Sequence, residues 1–305
     1  MDPKKPERKF NPLFWLRVFV DILLAAYLGV VLAGAFSLTT MITAPLKGSI
    51  CCQTPRDFGT AYQDVSFHTA DGLALSGWYV PSKNGAVIIL LHSYYMDRRQ
   101  VLPVAAMLAR HGYGLLLYDQ RASGKSAGDL RSLGWLDIPD VAQAVAFVRS
   151  RPGADHAPLG VYGCSVGGAI ALGAAAANPA ITAVAADAPS PLIIDEAHPN
   201  VGDPDWLISL PIYSLYYRFL ALRVGAQPPL SGVEAVRHIA PRPLLLISTG
   251  KQGEQGRAEL LFAAAPASTT HWNIPAADHC TGPSARPDEY AARLTSFFDQ
   301  ALLRR

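Results

Sequence analysis

From residue 62 onward the hydrophobic positions fall into two alternating patterns. One is the short continuous apolar run, such as AVIILL at 86–91 and PLLLIS at 243–248. A strand buried on both faces reads this way, because neither side meets water. Strands are predicted over 63–69, 73–80, 86–91, 114–118, 159–163, 181–186, 243–248 and 270–274. The other pattern has helical spacing. Over 137–150, Ile138, Val141, Val145 and Val148 recur on one face. Helices are predicted over 98–111, 137–150, 166–177, 256–265 and 287–302. Strands alternating with helices predict the α/β class, a mostly parallel eight-stranded sheet flanked by helices on both faces. Asp71-Gly72 between the first two strands is a hairpin signal, so the sheet opens with an antiparallel pair.

Two segments break the rhythm. Residues 22–42 (ILLAAYLGVVLAGAFSLTTMI) run 21 residues without a charge. Roughly 20 apolar residues cross a bilayer core, whereas a signal-peptide core has only about 7–15. The segment therefore predicts a single-pass transmembrane helix, with a cleaved secretory signal as the alternative. Lys4, Lys5, Arg8, Lys9 and Arg17 precede it, against Asp2, Glu7 and Asp21, and Lys47 and Arg56 follow. This bias places the amino terminus in the cytoplasm and the remainder on the extracytoplasmic side. Phe14, Trp15 and Phe19 fall at the cytoplasmic interface. The second break is 189–240, rich in proline and aromatics (Pro199, Pro204, Trp206, Pro211, Tyr216, Tyr217). It reads as a cap insertion over a site, with a helix near 206–222. The expected organisation is a cytoplasmic amino terminus and anchor at 1–43, a linker at 44–60 marked by Pro45, Gly48, Pro55 and Gly59, and an α/β domain at 61–305.

Composition narrows this picture. Half of the 305 residues are hydrophobic and 16% are charged, with a slightly positive mean hydropathy, which fits partial residence in lipid. A net charge of +2 is too small to suggest a nucleic-acid partner. Cys51, Cys52, Cys164 and Cys280 lack C-x-x-C and zinc-finger spacing, so no metal site is expected. The adjacent Cys51 and Cys52 read either as a link to another chain or as plain thiols, and the cysteines leave the compartment open.

The candidate chemistry centres on LGVYGCSVGGAIALGAA at 159–175. A predicted strand runs into Gly163-Cys164-Ser165-Val166-Gly167 and then into a helix of small residues. A serine on such a sharp strand-to-helix turn needs small neighbours, so that strand and helix can approach. Ser165 is the candidate nucleophile. The Val166 N–H, at a helix start, can face a developing oxyanion. Cys164 reads as packing.

Three further motifs follow the same order as in a known family. His92-Ser93-Tyr94 ends the strand AVIILL, and DQRASGKSAGD at 119–129 ends the next one. Asp278-His279 lies between the last strand and the last helix. Over residues 62–302 the chain resembles the α/β-hydrolase superfamily, and within it the membrane-anchored, esterase-like hydrolase-domain proteins. The resemblance implies that the Tyr94 N–H is the second oxyanion donor, although Ser93 replaces the usual Gly. It implies that His279 is the base. His92 reads as structural, His271 lies within a strand and His198 in the cap. Asp119 and Arg121 read as a pair that stabilises loops, with Ala122 where Gly is usual. The acid position after the penultimate strand holds no Asp. Its carboxylate is Glu254, with Asp187 at the end of the preceding strand as the alternative. The implied activity is cleavage of an ester, thioester or amide through an acyl-Ser165 intermediate, on a small acyl or lipid-like substrate, with no cofactor. An inactive hydrolase-like binding or scaffold module is the competing reading. A dehalogenase is excluded, because it needs Asp where Ser165 stands.

Overall fold

The computed structural model describes residues 11–48, 50–196, 205–251 and 253–304. Asp2, Lys4, Lys5, Glu7, Arg8 and Lys9, with His198, Pro199 and Pro204 of the expected cap, lie outside the described residues. The strands are β1 (Leu46–Lys47), β2 (Gln63–His68), β3 (Ala74–Val80), β4 (Val87–Leu91), β5 (Gly114–Tyr118), β6 (Ser123–Gly124), β7 (Leu159–Cys164), β8 (Ala183–Asp187), β9 (Leu244–Thr249) and β10 (Thr269–Ile274). Eight of them form one sheet in the order β10-β9-β8-β7-β4-β5-β3-β2. All eight predicted strands are present, with ends shifted by no more than two residues. The sheet is mixed, because β3 runs antiparallel to both β2 and β5 while the other pairs are parallel.

Burial explains the apolar runs. Every residue of β4, β5, β7, β8 and β9 is buried. The edge strands β2 and β10 alternate instead. Because successive side chains point to opposite faces, β4 supplies two layers. Val87, Ile89 and Leu91 pack on one face and Ile88 and Leu90 on the other.

Helices α3 (Asp137–Arg149) and α4 (Val166–Ala177) cover the first face, and α2 (Leu102–Arg110) and α9 (Pro287–Phe298) the second. Helices α6 (Gly232–Ile239) and α7 (Glu254–Ala264) join the first layer, and α8 (Gly282–Ala285) is a short turn before α9. Ala235, Val236 and Ile239 of α6 are buried in the sheet's own core. The segment beyond Ser231 is therefore part of the helical layer rather than of a cap. Its short amphipathic stretch was hidden inside the proline- and aromatic-rich region.

The amino-terminal helix α1 (Pro12–Thr43) has 32 residues and is long and apolar enough to cross a membrane. At 1.5 Å per residue it extends about 48 Å. Its first turns stand free, and its last turns pack against α5 (Trp206–Val224), the helix expected in the cap. Two features make that contact. An added Cβ at Gly34 would lie 3.0 Å from Ile212, so glycine lets the helices approach. Pro211 lies inside α5 and has no N–H to give to the carbonyl four residues back. That carbonyl, of Leu207, accepts the Tyr27 hydroxyl of α1 at 2.7 Å.

The described residues of 44–60 are also bonded into the structure. Leu46–Lys47 pair in parallel with Ser123–Gly124, and Ile50 and Phe58 pack on the core. The proline and glycine that read as a linker lie instead in a bonded, irregular strip.

The α1–α5 contact makes a test. Gly34→Leu is expected to destabilise the protein by about 1–3 kcal/mol through overpacking. Gly29→Leu on the same helix, where an added Cβ meets nothing within 4 Å, is expected to be neutral. Denaturant unfolding in detergent micelles measures both.

Candidate active site

The turn between β7 and α4 is governed by backbone proximity. A Cβ at Gly163 would lie 2.1 Å from the Gly167 carbonyl oxygen, and one at Gly167 would lie 2.5 Å from that of Leu91. No side chain fits at either position. Between them Ser165 adopts φ 58°, the left-handed region that a non-glycine residue occupies only when its surroundings enforce it. The Ser165 N–H donates to the Asp187 carbonyl at 2.8 Å, and the Ser165 carbonyl accepts the Ser190 N–H at 3.1 Å. Ser165 is consequently held from both sides, with 6% of its surface exposed.

A continuous chain of contacts leads from this serine. Ser165 Oγ is 2.9 Å from His279 Nε2, and His279 Nδ1 is 2.5 Å from Glu254 Oε1. Glu254 Oε2 accepts the Thr249 hydroxyl at 2.5 Å. The helix α7 begins at Glu254, two residues before the start expected from sequence, with Gly253 at φ 84° as its cap. This early start lifts the carboxylate to the end of the neighbouring strand. A longer glutamate thereby reaches the imidazole without a loop aspartate.

Asp187 takes a different environment. It is fully buried, and its Oδ2 accepts the Tyr290 hydroxyl at 2.7 Å and the Tyr162 hydroxyl at 3.3 Å. Its Oδ1 has no hydrogen-bond partner among the described residues. Burial pushes its carboxyl up to about 6. The two candidate acids are thus separated: Glu254 meets His279, and Asp187 meets two tyrosines.

The loop after β4 is pinned at both ends. His92 Nδ1 donates to the Ser93 carbonyl at 2.8 Å, and its Nε2 accepts the Gln120 N–H at 3.0 Å. These partners specify one neutral tautomer, and burial holds the imidazole below its usual protonation range. Gln100 accepts the Ser93 N–H at 2.6 Å. Tyr94 and Val166 line one small crevice. The far end of the Tyr94 side chain donates to the Ile42 carbonyl at the end of α1. Arg131 adds to this junction. Its N–H and Nε donate to the Thr43 and Ala44 carbonyls at 3.0 and 2.5 Å, while its guanidinium lies 4.3 Å over both Tyr94 and Tyr95. These donors satisfy carbonyls that a helix end leaves unpaired.

Asp119 and Arg121 do not pair with each other. Asp119 pairs with buried Arg98 at 2.8 Å, and Arg121 with Asp140 at 2.5 Å and Asp71 at 2.7 Å. The chain leaves β5 at Tyr118 and turns at Arg121, so the two side chains meet different partners. The loop-stabilising role therefore falls to two separate groups, the Arg98–Asp119 pair and Arg121 with its two aspartates.

Two features of the site escaped the sequence reading. Ser190 Oγ lies 3.0 Å from Ser165 Oγ. Cys164 and Cys280 form a disulfide with a Cα–Cα distance of 6.0 Å. A signal for the disulfide was present. Each cysteine is adjacent to a residue of the expected nucleophile–base pair, so bringing Ser165 to His279 also brings the cysteines together. Cys51 and Cys52 are free and exposed.

Comparison with known proteins places this geometry. Residues 82–217 match the family described as serine aminopeptidase, S33. A thiohydrolase of Aspergillus aculeatus is 37% identical over 118 residues, 37% of this chain and 37% of its own length. A polyketide transferase of a Penicillium species is 32% identical over 173 residues, 55% of each chain. The matched part of this chain thus spans 37 to 55% of the length of these curated relatives. Among solved structures, an esterase of Pyrococcus furiosus superposes with a TM-score of 0.69 at 25% identity, covering 85% of this chain and 98% of that one.

The environment of Asp187 predicts a pH dependence. Its carboxyl titrates near 3.8 when unperturbed and is raised to about 6 in the fold. Between these values the unfolded chain has lost the proton that the folded one keeps, so stability falls as pH rises through this window. Asp187→Asn removes this loss. Relative to the wild type, the variant is expected to gain about 2 kcal/mol between pH 4 and pH 7. Denaturant titrations across that range measure the gain, and parallel curves for the two proteins would refute it.

Proposed function

The chain belongs to the α/β-hydrolase superfamily, and from that premise we propose that it is a serine hydrolase acting on an ester, thioester or amide of an acyl or lipid-like compound. The observation that carries this reading is the continuous contact chain Ser165–His279–Glu254, at 2.9 and 2.5 Å. With the Nδ1 proton directed at Glu254, the His279 Nε2 lone pair faces the Ser165 hydroxyl and takes its proton as Oγ attacks the carbonyl carbon. Glu254 orients the imidazole and stabilises the imidazolium. The Tyr94 and Val166 N–H groups hold the oxyanion. The imidazolium then protonates the leaving alcohol, thiol or amine. Water, deprotonated by His279, releases the acid from Ser165. The printed names of the relatives, a thiohydrolase and an esterase, support this class of chemistry.

The setting supports a membrane-anchored enzyme. Leu16, Leu23, Leu24, Val30, Leu32 and Phe36 are exposed on different sides of α1, as a helix immersed in lipid requires. Beside α1, Leu207 and Ile208 of α5 are also exposed. The basic bias before α1 puts the catalytic domain outside the cytoplasm, and the disulfide is of the kind that persists in an oxidising compartment. A cavity of about 350 Å³ beside α5 combines apolar walls from Trp135, Ile193, Ile194 and Ala221 with the polar side chains of Asp195, Ser214 and Arg218.

Ser165→Ala is expected to lower kcat on a short acyl ester by at least about a thousandfold and to abolish labelling by a fluorophosphonate probe. Wild-type protein that fails to label would leave the non-catalytic binding module as the reading. The acid is tested separately. Glu254→Gln is expected to reduce kcat by about 10⁴-fold through loss of imidazole orientation, and Asp187→Asn by less than tenfold. The reverse ranking in steady-state kinetics would transfer the role to Asp187.

A further inference from the structure

The base and the nucleophile come from distant strands. His279 follows β10, Ser165 follows β7, and β9 and β8 lie between them. With strands about 4.8 Å apart, β10 is roughly 14 Å from β7 across the sheet. The loop carrying His279 must fold back over the ends of two strands to reach Ser165. Among the described residues its backbone hydrogen bonds do not hold it there, and the bonds that reach across are those of the His279 side chain itself, to Glu254 and Ser165. Asp278 N–H donates to Thr281 Oγ1, Thr281 N–H to the Asp278 carbonyl, and His279 N–H to Asp278 Oδ1, all within the loop. Gly250 N–H donates to the Ala277 carbonyl, which ties the loop only to the neighbouring β9 end. The link that ties the loop's backbone to the β7 end is covalent. Cys164, the last residue of β7, is bonded to Cys280, so the residue before the nucleophile is joined to the residue after the base.

We propose that the Cys164–Cys280 disulfide is a positioning element of the hydrolytic site: it holds His279 Nε2 on Ser165 Oγ, and the enzyme is competent only in its oxidised form. This inference rests on the serine-hydrolase reading. Cys164 is 2% exposed and extends the rigid strand, whereas Cys280 is partly exposed at φ 59° in the turn. The strand is therefore the fixed end and the loop the movable one. A misplacement of about 1 Å between reacting groups costs on the order of a hundredfold in rate. Reduction follows ordinary exchange chemistry. A thiolate of dithiothreitol attacks Cys280 Sγ and expels the Cys164 thiolate. The second thiol of the reagent then displaces Cys280, leaving two protein thiols and one cyclic disulfide, with two electrons transferred.

The test uses the full chain in detergent micelles with Cys51 and Cys52 replaced by serine, so that only the paired cysteines titrate. Thiol titration of the denatured protein is expected to find none before reduction and two after it. The fluorophosphonate labelling rate at Ser165 is expected to fall at least tenfold on reduction and to return on reoxidation. Circular dichroism at the assay temperature remains folded, and kcat on a short acyl ester falls with KM within twofold. Cys280→Ser behaves as the reduced protein and does not respond to reductant. Two free thiols before reduction overturn the proposal, as does a labelling rate within twofold after it. Loss of the folded signal together with the rate also overturns it, since the bond would then only be a general cross-link. Oxidised protein that does not label at all rejects the hydrolase reading itself, and a labelled protein indifferent to reduction rejects the clamp alone.

Discussion

The contact on which the site depends is the near-touching backbone of Gly163 and Gly167. Strand β7, helix α4 and strand β4 converge there more closely than any side chain allows. Convergence forces the chain through a turn too tight for ordinary backbone angles, and Ser165 takes the left-handed conformation. Such strain costs of order 1–3 kcal/mol and persists only where the surroundings over-determine it. Here they do so through five fully buried strands and two bonds to the Ser165 backbone. The same turn starts α4 directly after the serine, and its first residue Val166 lines one crevice with Tyr94.

A second constraint is distance along the sheet edge. The elbow lies near the middle of the sheet, while His279 comes from β10 at its border. The fold meets this in two ways. Glu254 opens α7 and is steadied by Thr249, presenting a carboxylate from the intervening strand end. The disulfide shortens the remaining gap by joining the residues next to Ser165 and His279. Asp187, on the strand between, is committed to Tyr162 and Tyr290.

A third feature concerns the amino-terminal helix. Its last carbonyls accept bonds from Tyr94 and Arg131, and Arg131 stacks on both tyrosines of the loop that carries the proposed oxyanion donor. The helix end is therefore continuous with the site in mechanical terms, and β1 carries that continuity into the β5–α3 connection. Composition marks a boundary near residue 44, but hydrogen bonding does not respect it.

Periodicity made the fold class, all eight strands of the sheet and the long apolar helix legible from the chain alone, because buried strands and lipid-length helices impose patterns on neighbouring residues. The glycines around Ser165 were legible for the same local reason. Other features depended on residues far apart in the chain. Glu254 was the expected acid with Asp187 as its alternative, and what separates them is that α7 begins at Glu254 while two tyrosines close over Asp187. Arg121 found Asp71 and Asp140 rather than Asp119, and α6 left the expected cap for the core. Cys164 and Cys280, 116 residues apart, met because their neighbours did. Local pattern determined which elements form and where Ser165 stands. Tertiary structure decided which partners reach it, because a sequence specifies side-chain direction over a few residues, whereas contact between strand ends depends on the order in which the whole sheet is assembled.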